Sequence, residues 1–300
     1  MHKSNTKAGF VTIIGKPNAG KSTLLNSILG MKLSIVTPKP QTTRKKVLGI
    51  HNTENEQIIF LDTPGILKPK YEMQKSMMSY VNNSISDADI LLVILDLGKY
   101  KSLDQYFDEI FLNYLKKSEK PKILAINKID NFKDVKNVLP IIRDVSKLGI
   151  FNEIIPISAL KNENIENLLK VLVKFLPDSE FYFDPDTLSI QNERFFVSEL
   201  IRENVFKKYS QELPYSTEVH IAEFKEREKG KWYISAEIIV ERKSQKIIII
   251  GQKGEKLKSI GLKSREAIEE HLGKEIYLEL FVKVRDNWRD NKNLLSSYGY

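Results

Sequence analysis

The first 176 residues alternate between short apolar runs and segments whose apolar residues recur at helical spacing. Four runs predict buried strands, at 10–14, 89–96, 121–126 and 153–157. A further strand pair is predicted at 47–51 and 57–61. The helical spacing predicts helices over 22–29, 103–117, 135–148 (where Pro140 bends or breaks the helix) and 165–175. Such alternation predicts a doubly wound α/β sheet.

The pattern changes beyond residue 176. Residues 177–190 contain two prolines and four acidic residues, which is typical of a linker. After it, helical spacing over 193–209 gives way to alternating strand patterns at 217–225 and 231–241. A helical run through His271 and a strand at 276–284 follow. The sequence therefore predicts two domains, at 1–176 and 191–300, the second smaller and of α+β type.

Composition narrows the function classes. Of the 300 residues, 41% are hydrophobic and 29% are charged, as in ordinary globular proteins. No apolar run approaches the ~20 residues that span a bilayer, and we expect no signal peptide. The absence of cysteine excludes disulfides and thiolate metal sites. A net charge of +8 favours a polyanionic partner, and residues 242–265 concentrate basic side chains against Glu255 alone.

The first strand runs into Gly15-Lys16-Pro17-Asn18-Ala19-Gly20-Lys21-Ser22, which fits the phosphate-binding pattern G-x-x-x-x-G-K-[ST]. Strand, glycine loop and helix bring backbone N–H groups onto phosphate oxygens. Lys21 is expected to contact the β- and γ-phosphates, and Ser22 to place its hydroxyl on Mg²⁺. Thr23, the next residue, is also predicted to bind phosphate, so the predicted phosphate-binding residues are 15–23.

Two later segments are expected to lie beside the γ-phosphate of a bound nucleotide and its Mg²⁺ ion. In the proline-containing loop 31–46, Thr43 is the predicted Mg²⁺ ligand, with Thr42 as the alternative. Asp62-Thr63-Pro64-Gly65 follows a strand, so Asp62 can stand beside the ion while the Gly65 N–H approaches the γ-phosphate. Ile66 occupies the place where Ras-like proteins carry a water-orienting glutamine, which predicts slow intrinsic hydrolysis.

A base-recognition quartet, Asn127-Lys128-Ile129-Asp130, ends the strand at 121–126. The Asp130 carboxylate can accept from both N1–H and the exocyclic amine of guanine, which adenine cannot offer. Asn127 can tether the base to the phosphate loop, and the Lys128 stem can cover the purine. At Ser158-Ala159, after the last strand, the Ala159 N–H can meet guanine O6. The predicted ligands are therefore GTP and GDP with Mg²⁺.

These motifs in this order, together with Gln41-Thr42-Thr43-Arg44, resemble the translation-factor-related GTPases. With the C-terminal Gly251-Gln252-Lys253-Gly254, the chain resembles the Era family of bacterial GTPases. The resemblance implies a type II KH domain whose GXXG loop holds single-stranded RNA. Catalytic roles at Asn18, Lys21, Thr43 and Gly65 follow from it and from the motifs. The predicted RNA-binding residues are Lys246, Gly251, Gln252, Lys253, Gly254, Lys256 and Lys258.

The same resemblance implies partners and location: the 3′ end of 16S ribosomal RNA, assembly of the 30S subunit, and a monomer in the cytoplasm that associates peripherally with the inner membrane. It also implies that Ile247–Ile250 is the end of a helix, although four consecutive isoleucines favour a strand. Trp232, Tyr233 and Trp288 are candidate stacking residues, although burial in the core is the stronger expectation for each.

Three alternatives remain open from the residues. The chain is either a GTP-hydrolysing switch on ribosomal RNA or an RNA-binding scaffold in which hydrolysis is incidental. A small-molecule kinase is disfavoured, because N-K-x-D specifies guanine. Asn18 either binds a K⁺ ion beside the phosphates, as in some GTPases of this class, or stabilises the loop through local hydrogen bonds.

Overall fold

The computed structural model describes residues 6–96, 103–132 and 135–300. They divide into two compact units. The first takes the described residues up to 34, from 43 to 69 and from 76 to 190, and the second takes 35–42, 70–75 and 191–300. The predicted linker residues 177–190 belong to the first unit, where the Leu188 carbonyl accepts from Ile50 N at 2.9 Å.

The first unit is built on a six-stranded sheet in the order β2-β3-β1-β4-β5-β6. Only the β2–β3 pair is antiparallel, and the other neighbours are parallel. All seven residues of β4 are buried, as expected for a central strand covered on both faces. The strands are β1 Lys7–Gly15, β2 Val47–Asn52, β3 Glu56–Asp62, β4 Ile90–Asp96, β5 Lys122–Asn127 and β6 Glu153–Pro156.

The helices of the first unit are α1 Lys21–Leu29, α2 Glu72–Asp87 (which belongs to this unit from residue 76), α3 Leu103–Tyr106, α4 Glu109–Lys116, α5 Leu139–Ser146 and α6 Ile165–Phe175. The expectation of one helix over 103–117 is wrong. Asp108 has extended backbone and its side chain accepts from Phe111 N, so it caps a new helix and separates α3 from α4. The helix predicted at 135–148 is a 3₁₀ turn followed by α5, with Pro140 in the first turn of α5, where it costs no hydrogen bond.

The second unit contains a three-stranded sheet with one face covered by helices. Strand β8 pairs antiparallel with β7 and parallel with β9. Alternate residues of β8 and β9, such as Ile234, Ala236 and Val282, join one hydrophobic core with residues of the covering helices. The elements are α7 Glu193–Lys208, β7 Glu218–Lys225, β8 Trp232–Val240, α8 Lys243–Ile250, α9 Glu255–Leu272, β9 Ile276–Val284 and α10 Lys292–Ser297.

Two expectations about this unit are confirmed. The four isoleucines at 247–250 form the last turn of α8, and Ile249 is fully buried in the core, so tertiary packing overrides strand propensity. Trp288 is also fully buried, and its indole N–H donates to the Ser216 carbonyl at 3.0 Å, which makes it a core residue. Among the described residues, no helix is both long and apolar enough to cross a membrane.

Candidate functional site

The turn between β1 and α1 follows a tight path that only glycine permits at two positions. A Cβ on Gly15 would lie 2.7 Å from the Ile94 carbonyl oxygen. Gly20 has φ 103°, and a Cβ there would lie 2.2 Å from Asn127 Nδ2. The loop therefore needs both glycines for close backbone approach. It places residues 16–20 directly before the N-terminus of α1, where backbone N–H groups and the helix dipole favour an anion.

The Lys21 side chain is buried and folds back over this turn. Its Nζ donates to the carbonyls of Gly15, at 3.3 Å, and Lys16, at 3.2 Å. Burial lowers the pKa of Lys21 to about 8, although the Asp62 charge opposes that shift. An ammonium that is poorly solvated in the free protein gains most from an anionic ligand, so Lys21 suits a role on phosphate oxygens.

Three oxygen-bearing side chains meet beside the turn. Ser22 Oγ lies 2.8 Å from Thr43 Oγ1 and donates to Asp62 Oδ2 at 2.7 Å. Thr42, the alternative to Thr43, instead donates its hydroxyl to the Lys39 carbonyl at 2.8 Å. Burial raises the pKa of Asp62, and the Lys21 charge and the surrounding hydroxyls oppose that shift.

This set fits a magnesium ion. Hydroxyl and carboxylate oxygens are ligands that Mg²⁺ prefers, and Mg²⁺ usually takes few protein ligands beside substrate phosphates and water. Asp62 Oδ1 is buried without a hydrogen-bond partner among the described residues, as expected of an atom that serves an ion's shell. The described residues contain no cluster of three or more His, Cys, Asp or Glu that could hold a metal ion. Ser22, Thr43 and Asp62 are therefore the candidate centre.

The segment after Asp62 runs against the phosphate loop. Thr63 donates its hydroxyl to the Ile13 carbonyl at 2.8 Å, and Ile66 N–H donates to the Gly15 carbonyl at 3.3 Å. A Cβ on Gly65 would lie 2.8 Å from Pro17 N, so only glycine allows this approach. Pro64 is buried between these contacts, and the Ile66 side chain is only 7% exposed. An apolar, buried Ile66 cannot orient water by hydrogen bonding.

The base-recognition quartet is hydrogen-bonded to the phosphate loop, and its Ile129 is buried. Asn127 Nδ2 donates to the Ala19 carbonyl at 2.9 Å, and Asn127 Oδ1 accepts from Ala159 N at 3.0 Å. Asp130 Oδ1 accepts from the Ser158 hydroxyl at 2.5 Å. The Ser158 hydroxyl thus fixes the Asp130 carboxylate that is expected to read guanine, while the Ala159 N–H, expected at guanine O6, is bonded to Asn127 in this structure. The structure thus brings residues from β5 and from the end of β6 to the loop after β1.

Lysines 128 and 16 make contacts that sequence reasoning missed. Lys128 Nζ pairs with Asp96 Oδ2 at 2.5 Å and donates to the Asn18 carbonyl at 3.0 Å. Lys16 Nζ pairs with Asp108 Oδ2 at 2.7 Å, and this ion pair joins the phosphate loop to the start of α4. Asp96 ends the strand predicted at 89–96, which is a sequence signal that could have identified it. Asp108 lies inside the helix predicted over 103–117, so the sequence carried no such signal for it.

The second unit carries a separate candidate site, between α8 and α9. Gly251 and Gly254 have φ values of 73° and 80°, and Lys253 has φ 48°. A Cβ on Gly251 would lie 2.7 Å from Lys256 Cγ. This tight turn exposes Gln252 and Lys253, while Lys256 and Lys258 are exposed on the first turns of α9 and Lys246 is half-buried on α8. A basic surface with close backbone approach suits a phosphodiester backbone.

A groove of about 550 Å³ runs beside this turn, between α9 and β9. Leucines of both elements form its apolar lining, and Lys258 and Arg265 border it. Its apolar residues are Leu257, Leu262, Leu278 and Leu280. Sequence reasoning missed them, because leucines at helical and strand spacing indicate core and do not show which of them stay accessible. An apolar slot beside basic side chains can accept unstacked bases.

Family comparisons agree with this division. Residues 10–128 match the family model described as 50S ribosome-binding GTPase, and residues 212–289 match the KH domain model. The GTPase Era of Geotalea daltonii is 45% identical over 300 residues, which covers 100% of both chains. The GTPase Era of Clostridium kluyveri is 43% identical over 298 residues, covering 98% of this chain and 99% of that protein.

Solved structures give the same result. The chain matches Era in complex with MgGDPNP and nucleotides 1506–1542 of 16S ribosomal RNA with a TM-score of 0.94 and 43% identity. It matches a single-substitution variant of Aquifex aeolicus Era bound to GDP and AlF4⁻ with a TM-score of 0.94 and 42% identity. Each match covers 98% of this chain and 99% of the other. On fold, motifs and full-length identity, the chain belongs to the Era family of GTPases.

Proposed function

We propose that this GTPase is a switch that binds the 3′ end of 16S ribosomal RNA and assists assembly of the 30S subunit. One observation carries the proposal: a candidate guanine-nucleotide site in the first unit and a GXXG turn with an apolar groove in the second share one chain. The related Era structure with MgGDPNP and a 16S RNA segment supports the pairing of these two ligands.

We assign the nucleotide contacts by chemistry. Residues 15–23 hold the phosphates, with the Lys21 ammonium neutralising the β- and γ-oxygens. Ser22 and Thr43 would hold Mg²⁺ with Asp62, and the ion supplies positive charge that polarises the phosphates. Gly65 offers its N–H to the γ-phosphate. Asn127 and Asp130 fix guanine, Lys128 covers it, and Ser158 and Ala159 complete the base site.

Hydrolysis needs a water molecule oriented in line with the leaving oxygen. Ile66 is apolar and buried, so it cannot supply that orientation. We therefore expect slow turnover by the chain alone and faster turnover when the ribosomal particle adds the missing group. The same observation favours the second candidate, an RNA-binding scaffold in which GTP occupancy sets the shape and hydrolysis is incidental.

We propose that residues 191–300 form the RNA-binding domain and 1–176 the GTPase domain, with 177–190 as a linker that packs with the first unit. Gly251, Gln252, Lys253 and Gly254 would follow the RNA backbone. Lys246, Lys256 and Lys258 would neutralise its phosphates, and the groove beside α9 would take bases. The exposed turn and the positive side chains around it support this assignment.

We further propose that the chain is a cytoplasmic monomer with peripheral membrane association. The net charge of +8 supports attraction to an anionic lipid surface. Fractionation at low and high salt tests the membrane association: a peripheral protein leaves the membrane fraction as salt rises. Retention in membranes at high salt would contradict it.

The experiment that separates the two candidate functions is multiple-turnover phosphate release from GTP. It should be measured with the chain alone, with a 16S 3′-end RNA and with purified 30S subunits. A switch turns over faster with one of the ribosomal ligands. RNA binding that depends on GTP without any acceleration would favour the scaffold, and binding that is indifferent to nucleotide would contradict both.

A further inference from the structure

The Asp62 carboxylate has a further hydroxyl contact besides Ser22 and Thr43, and the metal-site motifs do not include it. Ser34 Oγ donates to Asp62 Oδ2 at 3.0 Å, on the same oxygen that accepts from Ser22. Ser34 is 3% exposed and Asp62 is fully buried, so water does not compete for this bond. Hydrogen bonds to a charged acceptor in such surroundings are stronger than neutral ones.

The backbone at Ser34 is itself fixed by a side chain from α1. Asn26 Oδ1 accepts from Leu33 N at 3.0 Å and from Ser34 N at 2.9 Å. Asn26 Nδ2 donates to the Ser34 carbonyl at 2.7 Å. Asn26 therefore uses three hydrogen bonds on one short segment. A chain of contacts runs from α1 through Ser34 to Asp62.

Ser34 differs from the other hydroxyls around Asp62 in what it can do when an ion binds. Ser22 and Thr43 are the candidate ligands, so their oxygens must turn to the ion. Ser34 can keep its bond to Asp62 Oδ2, and the carboxylate then has one fixed oxygen while Oδ1 is left for the ion's shell. Partners behind a metal site typically change metal affinity by about 10- to 100-fold when they are removed.

We propose that Ser34, fixed by Asn26, is a positioning residue for the Mg²⁺ site: its hydroxyl holds the Asp62 carboxylate in the orientation that the ion requires. The proposal rests on the GTPase function proposed above. It assigns Ser34 no contact with nucleotide and no part in base recognition.

The test uses the full chain and fluorescent GDP. GDP affinity is measured by fluorescence titration across Mg²⁺ concentrations and again in excess EDTA. For Ser34→Ala we expect the Mg²⁺ concentration at half-maximal effect to rise about tenfold. Affinity in EDTA should equal that of the unsubstituted chain, because only the Mg²⁺-dependent part is affected. A general structural defect would lower both.

Ser84→Ala is the matched control. The Ser84 hydroxyl is also fully buried, in α2 of the same unit, and has no hydrogen-bond partner among the described residues. Ser84→Ala therefore removes the same atom without touching Asp62, and we expect its Mg²⁺ dependence to be unchanged. Thermal melting of both variants checks that each is folded.

A second variant tests the chain of contacts. The three hydrogen bonds of the Asn26 side chain go to Leu33 and Ser34, so Asn26→Ala should raise the Mg²⁺ requirement through Ser34. The double variant, with both Asn26 and Ser34 replaced by Ala, should then require no more Mg²⁺ than Ser34→Ala alone.

An unchanged Mg²⁺ requirement in folded Ser34→Ala would overturn the proposal even if Asn26→Ala fails to fold. Equal losses with Mg²⁺ and in EDTA would overturn it as well. If the unsubstituted chain shows no Mg²⁺-dependent GDP binding, the proposed function fails instead.

Discussion

The proposed nucleotide site and the proposed RNA surface of this chain contrast in burial. Lys21 and Asp62 are buried, and hydrogen bonds from named atoms hold both side chains. Gln252, Lys253 and Lys256, around the GXXG turn, are exposed. In the first site the low dielectric strengthens each hydrogen bond. Changing one residue there should therefore change one binding property, such as base selectivity or Mg²⁺ affinity, by a large factor. On the second surface, charge is shared among several exposed side chains, and effects should be spread and salt-dependent.

The largest effect is expected at Asp130, the carboxylate that we propose reads the base. Asp130→Asn replaces an acceptor of the guanine N1–H and amine with an amide, which suits the C2 carbonyl of xanthine. We expect the ratio of GTP to XTP affinity to fall on the order of a hundredfold or more, because a site built to hydrogen-bond a substrate N–H strongly rejects an analogue that lacks it. Competition binding with both nucleotides measures this ratio.

Asp96→Asn is the control for that change. Its carboxylate pairs with Lys128 at 2.5 Å, within the same network. It should weaken GTP and XTP alike, because it acts on the lysine and not on the base edge. An Asp130→Asn variant that keeps the full GTP preference would show that the base is read elsewhere.

A smaller effect is expected on the RNA surface. Replacing Gln252 and Lys253 together by Asp sets two anions against RNA phosphates. We expect affinity for a 16S 3′-end RNA to fall by about tenfold to a hundredfold, with a shallower dependence on salt, because a cationic contact is lost. GTP affinity should stay the same. Fluorescence anisotropy at several salt concentrations measures both RNA quantities.

The control places an equal charge change on another surface of the second unit. Lys292 and Asn293, at the start of α10, are exposed, and Lys292→Asp with Asn293→Asp also changes the charge by −3. If net charge alone drew RNA, this control would lose as much affinity as the GXXG variant. An unchanged RNA affinity in the GXXG variant would show that RNA binds elsewhere on the chain.

The sequence predicted the features that depend on local patterns better than those that depend on contacts between segments. The fold class, a doubly wound GTPase domain followed by a KH domain, is confirmed, because motif spacing and strand patterns are local properties. The strand pair before Asp62 and the helix before the GXXG turn are also confirmed. Ser34 and Asp108 were missed, since their partners Asp62 and Lys16 lie far along the chain. Asn26 was missed because its role depends on that of Ser34. Helix α2 was missed too, because its many polar residues give a weak apolar pattern.

A third effect concerns pH and Lys21. Burial holds the pKa of Lys21 at about 8 in the free protein, and nucleotide phosphates should raise it again. Well below pH 8 both the free and the bound state carry the proton, so GTP affinity is nearly constant there. Above it, binding must take up a proton, and GTP affinity falls as pH rises, by about sevenfold between pH 7.0 and 8.8.

Calorimetry in two buffers with different ionisation enthalpies measures the proton uptake directly. Lys21→Arg binds through a group that stays charged over this range and should lose the pH dependence. Ionisation of guanine itself is common to both proteins and cancels in the comparison. Equal pH profiles for the two proteins would mean that Lys21 keeps its proton in the free state.

The smallest effect is expected from K⁺. With a buried, apolar Ile66, the transition state still needs positive charge between the β- and γ-phosphates. An Asn18 side-chain oxygen could hold a K⁺ there, and we expect turnover about threefold faster in KCl than in NaCl at equal ionic strength, a modest gain for one added electrostatic contact. Phosphate release from GTP measures it.

The backbone at Asn18 decides which variant can test this idea. Asn18 has φ 67°, a left-handed conformation that asparagine and glycine tolerate and alanine does not favour. Asn18→Ala would therefore change loop conformation and ligand together, whereas Asn18→Gly keeps the conformation and removes the oxygen. If Asn18 serves only the loop, Asn18→Gly retains the K⁺ response. If it holds the ion, Asn18→Gly loses the response while its GTP affinity persists, and Asn18→Asp, which keeps an oxygen and tolerates the same φ, retains it.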